Sequence, residues 1–86
     1  MRLDVRTAEE FAAGHIENAV NIDVLKPDFE QRACEVLPKD KVIAVNCRSG
    51  KRSKKAAGIL VHDGYVVVEL DKGYNAWVDE GHKVVK

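Results

Sequence analysis

The sequence predicts an α/β fold with a mostly parallel central sheet of four or five short strands and helices on both faces. Two observations carry this prediction. Apolar, strand-like runs alternate with helical patterns along the chain, and the run Val66-Val-Val68 is apolar on both sides, as in a buried parallel strand. Strands separated by helices are joined by crossovers, which make them parallel neighbours. With 86 residues, the chain is expected to form a single domain over residues 1–86.

The first part of the chain predicts a strand, a helix and a second strand. Residues 3–5 form a short strand candidate. Thr7 and Glu10 have the spacing of a capping box, which opens a short helix, and Gly14 is where that helix is expected to stop. Residues 19–24 are typical of a second strand.

The remaining elements repeat the alternation. A helix is predicted over residues 29–36 and a strand over residues 42–46. Apolar residues then recur at helical spacing up to residue 61, and a further strand is predicted over residues 65–70. Residues 73–80 predict a short final helix.

Charge and hydropathy exclude several classes of partner. Fourteen basic and fourteen acidic residues cancel, which argues against a nucleic-acid surface driven by bulk charge. No apolar run is long enough to cross a membrane, and the N-terminus has no secretory signal. We therefore expect a cytoplasmic protein, or a periplasmic one if a signal peptide has been removed, with neither nucleic acid nor membrane as a partner.

Cys47 lies in the sequence environment most typical of a reactive group. It follows the apolar run 42–46 and precedes the cationic run Arg48-Ser-Gly-Lys-Arg52 and an alanine-rich segment. This order predicts a strand, a tight loop and a helix, and ligands bind beyond such strand ends in parallel sheets. The helix N-terminus, the loop N–H groups and the cations favour the thiolate. The pKa of Cys47 is therefore expected well below the free value of about 8.5.

The residues after this candidate nucleophile are candidate anion-binding groups. Gly50 allows the backbone to turn so that successive N–H groups converge above the sulfur. Arg48, Lys51 and Arg52 carry positive charge, and Ser49 is a short hydrogen-bond donor. The alternative for each cation is an ordinary solvent-exposed position.

Three further residues have a structural interpretation. Asp4 and Arg6 flank the end of the first strand, where an ion pair between them would brace the loop, the alternative being two surface charges. Cys34, in the helix predicted over residues 29–36, is expected to be a small buried hydrophobe. Two cysteines without a CxxC or Cys/His spacing form neither a disulfide framework nor a metal site, so no metal and no cofactor are expected.

Several short motifs occur in a characteristic order over nearly the whole chain. They are Leu3-Asp-Val-Arg6, Glu10-Phe11, Gly14-His-Ile16, Ala19-Val-Asn-Ile22, Cys47-Arg-Ser-Gly-Lys-Arg-Ser53, Gly64-Tyr65 and Gly73-Tyr-Asn-Ala-Trp77. Together they resemble a single-domain rhodanese. The resemblance implies a rhodanese-like α/β fold and a sulfurtransferase that needs no cofactor.

The resemblance also implies a role for each matching residue. Cys47 would accept a sulfane sulfur as a persulfide, residues 48–52 would hold it through their N–H groups, and Arg52 would close the loop. Asp4 and Arg6 match the family's Asp-Val-Arg strand end. The donor would be a small anion such as thiosulfate, and the acceptor would be cyanide, a thiol or the cysteine of a partner protein.

The chain departs from the family pattern in two places. Many relatives carry a strand and a helix before the Asp-Val-Arg strand, so one sheet edge is expected to be bare or covered by residues 83–86. Asp71-Lys-Gly73 stands where relatives commonly have a Gly-Gly pair.

Two other functions remain open on the sequence. Related folds with a loop of Cys-x5-Arg form act on phosphate or arsenate, whereas four residues separate Cys47 from Arg52. A tighter ring of N–H groups suits a bound sulfur better than a tetrahedral oxyanion, so phosphatase or arsenate reductase activity ranks second. A non-catalytic binding module ranks third, because the cysteine at the start of the loop is retained.

Overall fold

The computed structural model describes residues 1–48, 50–69, 73–82 and 84–86. Strands and helices alternate through most of this part of the chain, as the sequence predicts. In chain order the elements are β1 (Arg2–Asp4), α1 (Ala8–Ala13), β2 (His15–Ile16), β3 (Val20–Asn21), α2 (Phe29–Val36), β4 (Ile43–Asn46), α3 (Lys51–His62), β5 (Val67–Glu69), α4 (Gly73–Asp79) and β6 (Val84–Val85).

The central sheet has four parallel strands in the order β3-β1-β4-β5. Leu3 of β1 lies opposite Val20 of β3 on one side and Val45 of β4 on the other. The predicted parallel sheet is therefore confirmed. The strands β2 and β6 form a separate antiparallel pair, which the sequence analysis did not predict because each has only two residues.

Alternate residues of β1 face two different helix layers. Leu3 is fully buried in the main apolar cluster, which also contains Phe29 of α2 and Leu60 of α3. Arg2 faces the opposite way, with its guanidinium carbon 4.9 Å from the centre of the Trp77 ring in α4. Helices thus cover both faces of the sheet, as predicted.

The helix-end signals in the sequence are confirmed at α1. The Thr7 side chain accepts a hydrogen bond from the Glu10 backbone N–H, and the Glu10 carboxylate accepts one from Thr7 N–H, which is the predicted capping box. The helix α2 has the bounds that the sequence predicts. None of the helices in the described residues is both long and apolar enough to cross a membrane.

Three burial and pairing predictions need correction. The sequence analysis treated the run 66–68 as buried on both faces, but Val66 and Val68 are 60% and 52% exposed. Val67, between them, packs against the main core, so Val66 and Val68 lie on the opposite face of β5, which pairs with β4 alone among the described strands and lies at a sheet edge. Cys34 is exposed rather than buried, because α2 buries Phe29 and Ala33 instead.

The third correction concerns the end of the chain. The sequence analysis expected one edge of the central sheet to be bare or to be covered by residues 83–86. Val84 and Val85 pair with β2, so these two residues do not cover an edge of the central sheet. Leu70, Asp71, Lys72 and Lys83, on which parts of these predictions fall, lie outside the described residues.

Candidate active site

Cys47 directly follows β4 and begins the loop that leads into α3. Its side chain belongs to the apolar cluster and is only 1% exposed. The Gly50 N–H donates a hydrogen bond to Cys47 Sγ over 3.0 Å. Gly50 has a φ of 107° and is the N-cap of α3, a left-handed conformation that favours glycine and lets this N–H point back at the sulfur. The sulfur therefore lies at the positive end of a twelve-residue helix.

The carbonyl groups of the loop are held by the first turn of α4. Tyr74 N–H donates to Cys47 O over 2.7 Å, and Asn75 N–H donates to Arg48 O over 3.1 Å. These bonds use N–H groups that have no partner within a helix of their own. The carbonyls of Cys47 and Arg48 are therefore turned towards α4, while the Gly50 N–H points at the sulfur.

Asp4 and Arg6 form the ion pair that the sequence suggested, and both are buried. Arg6 Nη2 lies 2.7 Å from Asp4 Oδ2, and Arg6 Nε and the Arg6 backbone N–H also donate to this carboxylate. The pair is thus a buried structural unit and not two surface charges. Its role in bracing the loop remains a prediction.

The path from this ion pair to the loop runs through Tyr74. The Arg6 guanidinium carbon lies 3.9 Å from the centre of the Tyr74 ring, and Tyr74 N–H holds the carbonyl of Cys47. Arg6 Nη2 also donates to Gly14 O over 2.8 Å. A Cβ atom on Gly14 would lie 2.6 Å from Tyr74 Oη, so any larger residue at position 14 would force the Tyr74 hydroxyl to move.

Arg52 makes a bidentate ion pair with Glu10 of α1. Arg52 Nη1 lies 2.7 Å from Glu10 Oε1, and Nη2 lies 3.1 Å from Oε2. The hydrogen bond from Arg52 lowers the pKa of Glu10 from 4.5 to about 2, with smaller contributions from Thr7. The same bond raises the pKa of Arg52. The ion pair ties the first turn of α3 to α1.

The other predicted loop residues have different surroundings. Arg48 and Lys51 are exposed, and Ser49 lies outside the described residues. Arg48 lines a cavity of about 220 Å³ together with Tyr74 and Asn75 of α4. A larger cavity of about 540 Å³ lies elsewhere, between α1, β3 and α2, and none of the described loop residues lines it.

Asn46, the last residue of β4, is an unusual neighbour of this site. It is 1% exposed, and neither its amide nitrogen nor its amide oxygen has a hydrogen-bond partner in the part of the chain that the structure describes. A buried polar group of this kind needs an explanation, such as an ordered water molecule. Asn46 lies opposite Asp4 on the neighbouring strand.

Sequence reasoning missed Glu10, Tyr74 and Asn75 as site residues. Glu10 was assigned to the capping box, and this spacing gave no sign that the same carboxylate also binds Arg52. Tyr74 and Asn75 contribute backbone N–H groups, which any residue type supplies, so only the Gly73-Tyr-Asn-Ala-Trp77 motif marked their position.

Comparison with known proteins identifies the family. The family model for the Rhodanese-like domain matches residues 2–80. The chain belongs to the rhodanese-like domain family. In fold it is similar to a rhodanese-related protein from Thermoplasma volcanium, with a TM-score of 0.87, 34% identity, and 98% of this chain and 81% of that chain covered.

Two curated relatives come from Arabidopsis thaliana. Thiosulfate sulfurtransferase 16, chloroplastic, is 37% identical, with 92% of this chain and 74% of the relative covered. Protein HIGH ARSENIC CONTENT 1, mitochondrial, is 42% identical, with 92% of this chain and 53% of the relative covered. The chain thus spans about half to three quarters of the length of these relatives. At family level, relatives named sulfurtransferase support a sulfurtransferase activity.

Proposed function

We propose that this protein is a sulfurtransferase that moves a sulfane sulfur from a donor such as thiosulfate to cyanide or a thiol, through a persulfide on Cys47. The observation that carries the proposal is the position of Cys47 Sγ, which accepts a hydrogen bond from Gly50 N–H over 3.0 Å at the N-terminus of α3. Such positions favour the thiolate, which is the nucleophilic form of cysteine. Membership of the rhodanese-like domain family supports the same chemistry.

The proposed reaction has two steps that balance without a cofactor. The Cys47 thiolate attacks the outer sulfur of thiosulfate, a new S–S bond forms, the S–S bond of thiosulfate breaks, and sulfite leaves with the electron pair. Cyanide or an acceptor thiolate then attacks the terminal sulfur of the persulfide. This second step releases thiocyanate or a new persulfide and regenerates the thiolate of Cys47.

The loop supplies the groups that this mechanism needs. The terminal sulfur of a persulfide carries negative charge, and backbone N–H groups at a helix N-terminus stabilise such a charge. In the proposed complex, residues 48–52 hold the persulfide, and the cations Arg48, Lys51 and Arg52 favour approach of an anionic donor. The cysteine of a partner protein is a further acceptor of the same chemical class as a small thiol.

Mass spectrometry of the intact protein provides the direct test. The protein is incubated with thiosulfate, and the mass is compared before and after treatment with cyanide. We expect Cys47 to gain one sulfur atom that cyanide removes as thiocyanate, and the Cys47→Ser variant to gain none. Absence of any gain in folded wild-type protein would contradict the proposal and favour a non-catalytic binding module.

A second candidate is chemistry on an oxyanion such as arsenate at the same loop. One observation favours it, namely that the 42% identical relative has a name that refers to arsenic content. The spacing of four residues between Cys47 and Arg52 ranks it second, because a transferred phosphoryl group needs donors for three equatorial oxygens. Reduction of arsenate or hydrolysis of aryl phosphates that the Cys47→Ser variant loses would promote this candidate.

A further inference from the structure

The strand β5 leaves one edge of the central sheet unpaired among the described strands. On its other side, the Ile43 N–H donates to the carbonyl of Val66 over 2.9 Å. Because the N–H and C=O groups of successive strand residues point to alternate sides, those of Val67 point away from β4. An edge strand with free backbone groups is a template on which another strand can pair.

An exposed apolar stripe, formed by Val42, Val66 and Val68, lies beside this edge. The three side chains are 50%, 60% and 52% exposed. Val66 and Val68 share the face turned away from the core, because Val67 between them packs against the core. Val42 lies next to Val66, since Ile43 and Val67 are register partners. Edge strands that stay unpaired usually carry charged residues or proline, so this stripe is suited to pairing.

The sequence of this edge is complementary to a second copy of itself. In an antiparallel pair of β5 strands related by a two-fold axis at Val67, Val66 lies opposite Val68 of the second copy. The two Val67 residues then donate to and accept from each other through their backbone groups. The valines on either side form non-hydrogen-bonded pairs, in which side chains approach most closely. The exposed valines of both strands thus pack against each other on one face.

The same pairing brings opposite charges together at both ends of the interface. Glu69 lies opposite Tyr65 of the second copy, and Lys39 Nζ is 5.4 Å from the centre of the Tyr65 ring within its own chain. Glu69 and Lys39 are exposed, and neither forms an ion pair with another described residue. Parallel pairing in register would instead place two Glu69 carboxylates side by side, which is unfavourable. The charges therefore favour the antiparallel arrangement.

We propose that the β5 edge is a dimer interface, at which a second copy of this chain extends the four-stranded central sheet. The strands of the two copies run in opposite directions. Since Cys47 follows the carboxyl end of β4, the two active-site loops lie at opposite ends of the joined strands. The interface is separate from the candidate active site and does not depend on the proposed function.

Sedimentation velocity tests the dimer directly. Each copy contributes a short strand, and small interfaces are transient, so we expect a dissociation constant on the order of 10–100 μM. The measurement covers concentrations that bracket this range. Val66→Lys places an ammonium group opposite Val68 of the second copy, and we expect it to raise the dissociation constant about tenfold.

The matched control for this variant is Leu25→Lys. Leu25 is also 60% exposed, and it follows β3, the strand at the opposite edge of the sheet. The control adds the same charge at the same exposure. We expect it to dimerise as wild type does.

A charge-reversal cycle tests the antiparallel register. We expect Glu69→Lys and Lys39→Glu each to raise the dissociation constant about fivefold, because each places like charges together at both ends of the interface. The double variant restores opposite charges across the interface, so its dissociation constant should return to that of wild type. Amide hydrogen exchange gives an independent measurement. Exchange at the Val67 N–H should be slower at high protein concentration than at low concentration.

Three outcomes would overturn the proposal in folded samples, as judged by circular dichroism. A wild-type chain that remains monomeric at every concentration would exclude the dimer and leave the β5 edge to a strand from a different protein. Equal weakening by Val66→Lys and Leu25→Lys would mean that net charge controls association. Charge reversals whose effects add in the double variant would exclude the two-fold antiparallel pairing.

Discussion

The two cysteines lie at opposite ends of the same helix and have contrasting surroundings. Cys47 is buried just before the N-terminus of α3, where Gly50 N–H donates to its sulfur. Cys34 is exposed on α2, and its sulfur lies 3.8 Å from the carboxylate of Asp63, the C-cap residue of α3. A further acid, Glu30, interacts with the same Asp63. The Cys47 sulfur therefore has a hydrogen-bond donor as its neighbour, whereas the Cys34 thiol has the carboxylate of Asp63 as an acceptor.

The difference shows how the direction of α3 determines the chemistry available to each thiol. A helix presents N–H groups at its start and carbonyl groups at its end, so only the thiol at the start of α3 lies where helix N–H groups can stabilise a thiolate. The helix has twelve residues and is about 18 Å long at 1.5 Å per residue. A disulfide requires Cα atoms within about 7 Å, and both cysteines are free thiols.

The largest expected difference comes from replacing each of the two cysteines by serine. Cys47→Ser should abolish persulfide formation and leave the fold intact, because a hydroxyl has nearly the same volume and cannot carry the sulfur. Cys34→Ser should leave turnover unchanged, since this side chain is exposed and far from the loop. Thiocyanate production and circular dichroism of both variants measure the difference. Equal loss of activity in two folded variants would contradict the assignment.

Disruption of the buried Asp4–Arg6 ion pair should change the reactivity of Cys47 and leave that of Cys34 unchanged. Asp4→Asn leaves the Arg6 guanidinium buried without its counter-charge, and we expect a loss of about 3–5 kcal/mol in the free energy of unfolding. If that variant does not fold, Arg6→Lys keeps the charge and removes the bidentate geometry. In folded samples, alkylation of Cys47 should slow while that of Cys34 stays unchanged. Equal slowing at both thiols would exclude a specific path through Tyr74.

The pH dependence of alkylation tests the thiolate at Cys47 more finely. We expect rapid alkylation of Cys47 below neutral pH, because the helix N-terminus and the Gly50 N–H favour the thiolate. The pKa of Glu10 is lowered to about 2, so the stability from its ion pair is present above pH 4.5 and is lost as pH falls towards 2. Alkylation rates between pH 5 and 9 therefore reflect the ionisation of the Cys47 thiol and not the loss of the ion pair of Glu10. A midpoint near 8.5, as in a free cysteine, would contradict activation by the loop.

The sequence predicted the elements of the central sheet and the candidate nucleophile, and it failed where pairing partners decide the outcome. The strand–loop–helix order around Cys47 is local, so composition and spacing were sufficient to find it. The exposure of Val66 and Val68 depends on the edge position of β5 and on which of its two faces packs against the core. No property of the run itself reveals either, which is why a run apolar on both sides was misread as a buried strand.

The same limit applies within the site. The ion pair between Glu10 and Arg52 joins residues 42 positions apart, and the carboxylate already had a sufficient local explanation in the capping box. The contribution of α4 is made through backbone N–H groups, which leave no trace in residue type. Local chemistry could thus be predicted from the sequence, and contacts between distant segments could not.

The smallest expected effect concerns the acids Glu30 and Asp63, which interact near Cys34 at the C-terminal end of α3. The hydrogen bond between Glu30 and Asp63, followed by the negative charge of Asp63, raises the pKa of Glu30 above its ordinary value of 4.5. A raised carboxyl pKa contributes stability that is fully present below pH 4.5 and is lost as pH rises through the folded-state pKa. Glu30→Gln supplies a permanent donor to Asp63 without the second charge. We therefore expect a small rise in Tm at pH 7 and a smaller one at pH 4.

The control for this variant is Glu35→Gln, on the same helix. Glu35 accepts a hydrogen bond from Gln31 over 3.3 Å, and a glutamine at position 35 retains the acceptor oxygen while removing one negative charge. We expect no comparable pH-dependent gain in Tm for this control. Thiosulfate turnover should be unchanged in both variants, because α3 separates these acids from Cys47. A gain of equal size in both would mean that net charge, and not the carboxylate pair, destabilises this end of the molecule.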